Sequence, residues 1–369
     1  YRSQVNALIE KFVHGGNIYK GKASAGEWLD FSANINALGL PKTVKNSILA
    51  NLEGIVHYPD PEAAELKAAI ADYYQVPEQE IVLGNGAAEL LYVFFHSIRP
   101  QKVLLPVPSF SEYERAARSA KAEICYAGLS AGQDFAMPWQ EIFCQLPFMD
   151  VVVFGNPNNP TGRMLSAKEL EVCIQKASKS NTWVLVDESF MDFRLDAELY
   201  TVRNLVQQYA NLFVLQSMTK FFAIPGLRLG FGLLPPETAA RLELGKDVWN
   251  VNLLAQKAGI AALEDFGYQQ RSRELLVQEI SYVTAELKTL AGLRFFEPSV
   301  NFILLDLTGC DITVDEFLQQ MRAHSILLRD CRNYPGLAKT FVRMAVRSHE
   351  ENQKVIAAFE EIWQGRQGK

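Results

Sequence analysis

Four short segments of this chain are almost wholly apolar, and they leave few folds open. Residues 151–154 (VVVF), 183–186 (WVLV), 212–215 (LFVL) and 229–234 (LGFGLL) lack the in–out alternation of a strand with one wet face. Strands without alternation are buried on both sides, as in a sheet covered by helices above and below. Shorter strand-like segments precede them at 81–83, 103–106 and 123–126. Helical periodicity fills the gaps, at 87–96, 111–120, 137–144 and 166–178. This alternation predicts an α/β fold: a large domain with a mostly parallel sheet flanked by helices, plus a smaller α/β domain.

In such sheets ligands collect beyond the carboxyl ends of the strands. Polar residues stand at each of those ends. Gly84-Asn85-Gly86 follows one strand and precedes a helix, which places free amides where a phosphate can sit. Asn159 follows the first of the four apolar runs, Asp187 closes the second and Lys220 follows the third, with Ser217 and Thr219 beside it and Arg228 as the next charge. A lysine in apolar surroundings sheds its proton readily, and a neutral amine is a nucleophile. Ser217 and Arg228 are suited to hold an anion. Asp187 is placed to keep a ring nitrogen protonated, with a plain helix cap as its alternative. His14-Gly15-Gly16-Asn17 is either a surface turn or a set of amides wrapped around a small anion. No complete GxGxxG occurs, which argues against a dinucleotide site.

The 369 residues exceed what one core usually organises. A net charge of −6 argues against a nucleic-acid surface, so an anionic ligand must be met by local arginines. Five scattered cysteines without a CxxC pair suit free thiols in a reducing cytoplasm, and the five histidines show no metal-ligand spacing. No leader-like segment and no apolar run of about 20 residues is found, so no membrane span is expected. Tyr1 rather than Met opens the sequence, and a short start segment is expected ahead of it. Elsewhere the periodicity predicts helices at 1–13, 41–52, 62–74 and 253–290, and small-domain strands at 302–306, 327–329 and 341–346, then a helix from 349. The expected division is an N-terminal segment 1–40 that joins the small domain, a large domain 41–255 and a small domain 256–369.

Asn158-Asn159-Pro160-Thr161-Gly162, Asp187-Glu188, Ser217-Met218-Thr219-Lys220 and Arg228 resemble the fold-type-I pyridoxal-phosphate enzymes, within them the aminotransferases of the aspartate and histidinol-phosphate group. Motif order and spacing agree along essentially the whole chain. The resemblance implies pyridoxal 5'-phosphate as cofactor and a role for each matching residue. Lys220 binds the cofactor aldehyde, Asp187 pairs with the pyridine nitrogen, Asn159 meets the ring hydroxyl and Phe110 stacks on the ring. Gly86, Ala87, Ser217 and Arg228 hold the phosphate, joined by Tyr58 from the other subunit of a homodimer with a shared site. Arg343 sits where the family binds a substrate carboxylate. Many members place a tyrosine where this chain has Phe190, so Asn159 is left without that companion.

HGGNI at 14–18, DFSANIN at 30–36, HYPD at 57–60 and RNYPGL at 332–337 resemble, more narrowly, decarboxylases of small phosphorylated amino acids in the same group. That implies a second anion site, for which His14, Gly16, Asn17, Asn36 and Arg329 are the candidates and Arg332 a further one. The expected enzyme is a cytoplasmic decarboxylase. Amino transfer to 2-oxoglutarate is the alternative, because the bond that breaks depends on how two anion sites orient one substrate. A binding protein that has lost its chemistry fits poorly with an intact set of Lys220, Asp187 and Arg228.

Overall fold

A computed structural model describes residues 12–19, 21, 23 and 26–367. The helix expected over 1–13 falls, except for its last two positions, outside them. A two-residue strand, β1 (Leu29–Asp30), leads into the sheet that carries the fold. Its strands are β2 (Ile81–Asn85), β3 (Lys102–Val107), β4 (Glu123–Gly128), β5 (Val151–Gly155), β6 (Trp183–Asp187), β7 (Leu212–Ser217) and β8 (Leu229–Leu233). They lie in the order β2-β8-β7-β6-β5-β3-β4. Every neighbouring pair from β7 to β4 is parallel, while β8 runs antiparallel to both β7 and β2.

Both faces of this sheet are buried, which is why its central strands carry no alternation. Val82, Leu105, Val153, Leu185 and Phe213 pack toward the helices Ala87–Ile98, Ser111–Ser119 and Pro236–Glu243. Leu83, Leu104, Val152, Phe154, Val186 and Val214 pack on the opposite side, with the helices Ala167–Lys179 and Leu253–Glu264. Two apolar layers thus clamp the sheet, and away from the edge strand β4 little but strand ends reaches solvent. Among the described residues no helix is long and apolar enough to cross a membrane.

A smaller antiparallel sheet follows, made of β9 (Arg294–Phe295), β10 (Phe302–Asp306), β12 (Arg329–Asp330) and β13 (Phe341–Ala345), in the order β12-β13-β10-β9. The N-terminal segment docks beside it. β1 pairs in parallel with β11 (Ile326–Leu327), and Phe31 accepts a hydrogen bond from the Ala345 amide. The helices Val314–Ala323 and His349–Gln367 complete this part of the chain, their start sealed in the first case by a reciprocal Thr313–Glu316 capping box.

Two expectations need correction. The helix read over 253–290 is two helices, Leu253–Glu264 and Phe266–Leu287, because the Asp265 side chain turns back to cap Tyr268 N at 2.9 Å. The strand read over 327–329 is also two, β11 and β12, which belong to different sheets with Leu328 between them. Periodicity sees a continuous apolar run in both places and misses the change of partner.

One close approach fixes β8 against the large-domain site. A Cβ on Gly230 would lie 2.5 Å from Ala87 N and 2.9 Å from the Gln216 carbonyl, both backbone atoms that side-chain motion cannot clear. Gly230→Ala should therefore destabilise the protein by about 1–3 kcal/mol, as overpacking against fixed neighbours does. Urea unfolding measures this, and an unchanged midpoint would show that the strand and helix separate freely.

Candidate active site

Beyond the carboxyl ends of β5, β6 and β7 lies a cavity of ≈ 250 Å³, lined among others by Ala87, Phe110, Asn159, Asp187, Ser217, Lys220 and Arg228. Lys220 is on a one-turn helix, Met218–Phe221, that begins where β7 ends. Ser217 caps that turn. Its Oγ lies 3.4 Å from Thr219 N, 2.8 Å from Thr219 Oγ1 and 3.0 Å from Lys220 Nζ. The ammonium stands 5.4 Å from the centre of the Phe190 ring. Burial lowers the Lys220 pKa to about 8; Asp187 opposes that shift and Arg228 adds to it.

Asp187, the last residue of β6, is held at both oxygens. Oδ1 accepts from Ser189 N at 2.9 Å and Oδ2 from the Tyr113 hydroxyl at 2.7 Å. Burial first, then the neighbouring carboxylate, pushes the Tyr113 phenol well above its usual range, so it stays a donor. Sequence reading missed Tyr113. Its one available signal was position, on the first turn of the helix Ser111–Ser119, three residues after Phe110. Phe110 lies edge-on to it at 5.6 Å between centroids.

The opposite end of the cavity suits a phosphate. Gly86 has φ +81°, and a Cβ there would come 2.2 Å from the Arg228 guanidinium. Ala87 is the first residue of the helix Ala87–Ile98, whose N-terminal amides and dipole favour an anion. Arg228 itself takes the left-handed conformation, φ +61°, which costs roughly 1–2 kcal/mol for a non-glycine residue and aims the side chain at Gly86.

Pyridoxal phosphate fits this donor set. Ala87, Ser217 and Arg228 would hold its phosphate, Asp187 its pyridine nitrogen, Phe110 its face, and Lys220 Nζ its aldehyde carbon. Asn159 accepts at Oδ1 from Arg343 and, at 3.4 Å, from the Tyr334 hydroxyl, which leaves its amide nitrogen for the ring hydroxyl. The Ser189 hydroxyl, buried and lining the same cavity, has no hydrogen-bond partner among the described residues. A buried donor of that kind is what a polar ring substituent satisfies.

Next to Asn159 lie two buried guanidiniums. Arg329 on β12 and Arg343 on β13 are directly paired in register, so their side chains share one face. Arg343 also donates to the Ser32 carbonyl at 2.8 Å, while its Nε has no partner. Burial, first among the causes, lowers its pKa. Arg329 donates to the Val13 carbonyl at 2.7 Å and to Asn333 Oδ1 at 2.8 Å, and it stands 5.1 Å from the Tyr334 ring. Among the described residues neither arginine forms an ion pair with a carboxylate.

The remaining candidates are sorted by their contacts. His14 Nε2 lies 2.7 Å from Glu112 Oε1, with its ring 5.6 Å from that of Phe110. Gly16 N donates to Ser32 Oγ at 2.7 Å, and Asn17 is exposed. Asn36 has a different task from the ligand contact expected of it. Its Nδ2 donates to Phe221 O at 2.7 Å and Ser272 Oγ at 2.8 Å, and its backbone amide holds Lys220 O at 3.0 Å. Those bonds fix the turn that bears the lysine and leave no donor over. Arg332 is similarly committed, with both nitrogens on Asp315 at 2.7 and 2.9 Å and further bonds to Asp330. Tyr58 is exposed, stacked on Trp249 at 4.4 Å, and does not line the cavity of its own chain.

With this geometry in view, the chain can be set beside known proteins. The sequence profile of the family described as aminotransferase class I and II matches residues 26–359. Threonine-phosphate decarboxylase of Salmonella typhimurium is 34% identical over 357 residues, covering 95% of this chain and 97% of the relative. The crystal structure of histidinol-phosphate aminotransferase from Clostridium acetobutylicum superposes with a TM-score of 0.85 at 30% identity, covering 91% of this chain and 99% of that one. L-threonine-O-3-phosphate decarboxylase from Porphyromonas gingivalis superposes with a TM-score of 0.81 at 26% identity, covering 90% and 99%.

Two outcomes follow from the site. A lysine whose pKa is about 8 is mostly protonated at pH 7 and mostly neutral at pH 9. Capture of added pyridoxal phosphate by apoenzyme should accelerate with pH through about 8 and then level off, as read by stopped-flow absorbance. A midpoint near the ordinary lysine value would contradict burial as the controlling effect. Tyr113→Phe removes one of two donors to Asp187 and leaves a buried oxygen unsatisfied, a loss of ~1–3 kcal/mol. Cofactor affinity should fall about tenfold or more, and equal affinity by fluorescence titration would remove Tyr113 from the site.

Proposed function

The chain belongs to the class I and II aminotransferases, a family of pyridoxal-phosphate enzymes, and we propose that it decarboxylates L-threonine O-3-phosphate to (R)-1-aminopropan-2-yl phosphate and CO2, supplying the side chain of cobalamin. The observation that carries this reading is the pair Arg329 and Arg343, buried side by side with no carboxylate between them. An unpaired buried charge costs several kcal/mol, so a site that keeps two is built for a ligand with two anionic groups. A phosphorylated amino acid brings both. The identity to the Salmonella decarboxylase, 34% along nearly the full length of both chains, supports this substrate.

Pyridoxal phosphate, when bound, supplies the electron-accepting ring that allows a group to leave Cα. The protein side of the reaction follows from its geometry. Asp187, fixed by Tyr113 and Ser189, holds a proton on the ring nitrogen. Arg343 takes the carboxylate and Arg329 the phosphate, and with both ends gripped the rotation about Cα is set. The C–COO⁻ bond breaks, CO2 departs, and Cα takes a proton in its place. Lys220 Nζ is the donor for that proton, and its pKa of about 8 suits an acid that works near neutral pH.

Tyr58 supports a homodimeric reading. It is exposed on its own chain with Ile55 and Val56 exposed beside it, a patch that a second copy would cover as the tyrosine reaches that copy's cofactor phosphate. The five cysteines are free thiols, which suits a cytoplasmic enzyme.

A second reading is amino transfer from histidinol phosphate to 2-oxoglutarate, favoured by the 0.85 TM-score with the Clostridium aminotransferase. Incubation of the holoenzyme with L-threonine O-3-phosphate and no keto acid separates the two. Release of CO2 matched one for one by aminopropanol phosphate supports decarboxylation, whereas turnover that requires 2-oxoglutarate sinks it. L-Serine O-phosphate run in parallel should be slower by roughly 10–200-fold, the range one methyl contact supports.

A further inference from the structure

The strap formed by residues 12–17 passes beside Phe110 at the edge of the site, and it is fastened at three points. Arg329 and Asn333 donate to Val13 O at 2.7 and 3.1 Å, and Gly16 N donates to Ser32 Oγ. The third fastening is the contact of His14 Nε2 with Glu112 Oε1 at 2.7 Å. Glu112 is buried on the first turn of the helix Ser111–Ser119, next to the cofactor-stacking Phe110. It also accepts from the Tyr92 hydroxyl at 3.0 Å and from Arg115 at 3.3 Å. Burial works to raise its pKa, but the bonds from His14, Tyr92 and Arg115 together bring it below the ordinary value. It is therefore a carboxylate at neutral pH, and a carboxylate only accepts.

The chemistry of His14 follows from that partner. Nε2 must carry the hydrogen it gives to Glu112. In the neutral ring Nδ1 is then a lone pair, which repels an anion. In the protonated ring Nδ1 bears a second N–H and becomes a donor. The charged groups facing His14 among the described residues are Glu112 and Arg115 from the helix Ser111–Ser119 and Arg329 from β12, through Val13; Tyr92 reaches it by way of Glu112. Of these, only Glu112 is anionic.

We propose that Glu112 is a positioning residue for phosphate recognition: by anchoring Nε2 it fixes the orientation of the His14 ring, so that Nδ1 is the ring nitrogen turned to the phosphate monoester of the substrate. This rests on the phosphoamino-acid reading above, but it concerns the phosphate alone and not the bond that breaks. Glu112 touches neither substrate nor cofactor. Its influence passes entirely through His14.

The test is the affinity of the holoenzyme for L-threonine O-3-phosphate, read from the cofactor absorbance at pH 7.5. Glu112→Gln should weaken binding about tenfold, with kcat changed less than twofold. Glu112→Asp, which keeps the charge, should restore most of the native affinity. In a His14→Gln background Glu112→Gln should add nothing further. Native affinity in Glu112→Gln, or an equal loss with and without His14, overturns the proposal and makes the carboxylate a packing group. If Glu112→Gln does not fold, His14→Gln decides: a tenfold loss supports the proposal and native affinity overturns it. If the enzyme turns over histidinol phosphate instead, the same variants are read with that ester, so failure of the substrate assignment is distinct from failure of the His14–Glu112 device.

Discussion

The carboxylate of Asp187, pinned between a tyrosine hydroxyl and a backbone amide, is the fixed point from which the rest of the site takes its position. It closes β6, the strand with β5 on one side and β7 on the other, and the pairing Gly155↔Asp187↔Leu215 sets all three strand ends at one level. Asn159 and Lys220 leave the sheet just beyond that level. Their mutual placement is thus a property of parallel register, held by two apolar layers that permit no slip without exposing core. A one-residue slip would turn every inward side chain of these strands to the other face.

A buried carboxylate in the centre of a sheet is costly alone, and the balance of charge around it explains the behaviour of its neighbours. Burial lowers the Lys220 pKa, Arg228 assists, and Asp187 resists without prevailing. The site as a whole carries an excess of positive charge although the protein carries −6. Arg228, Arg329 and Arg343 lack carboxylate partners among the described residues, whereas Arg332, Arg118 and Arg347 are paired. Of these six, the three without a carboxylate lie at the cavity or beside the residues that line it. On the proposed reading, cofactor phosphate and a doubly anionic substrate supply the missing negative charge, so binding and neutralisation are the same event.

Much of this was legible in the order of residues, because the large-domain site is built from strand ends. Asp187, Lys220 and Asn159 each follow an apolar run and Arg228 directly precedes one, and an apolar run is the clearest mark of a doubly buried strand. Tyr113 was not legible, since its bond to Asp187 spans 74 positions and depends on how a helix seats against the sheet. Asn36 looked like a ligand in a polar turn; its amide instead crosses 185 positions to tie down the backbone beside Lys220. Arg329 and Arg332 looked alike from sequence. They differ because the first is in strand register with Arg343, while the second lies beyond the strand within reach of Asp315 and Asp330.

That last distinction bears on how this family divides its chemistry. The motifs that hold the cofactor sit on the large sheet, and the similarity extends to relatives named for decarboxylation and for amino transfer alike. On the proposed reading, what differs in effect lies where the substrate's anionic groups are gripped. Here that place is β12, a strand of two residues that exists because the chain leaves one sheet at Leu327 and enters another at Arg329. The break puts Arg329 opposite Arg343 on one face, about 5 Å apart at Cβ as directly opposed strand residues are. A shift of one position would send one guanidinium to the far side of the sheet and leave a single anion site. On the proposed reading, the choice of bond is therefore set by the register of a short strand remote from Lys220, through the orientation it imposes on Cα. Residues that contact the cofactor make the chemistry available; the register of β12 and β13 selects which of its outcomes is reached.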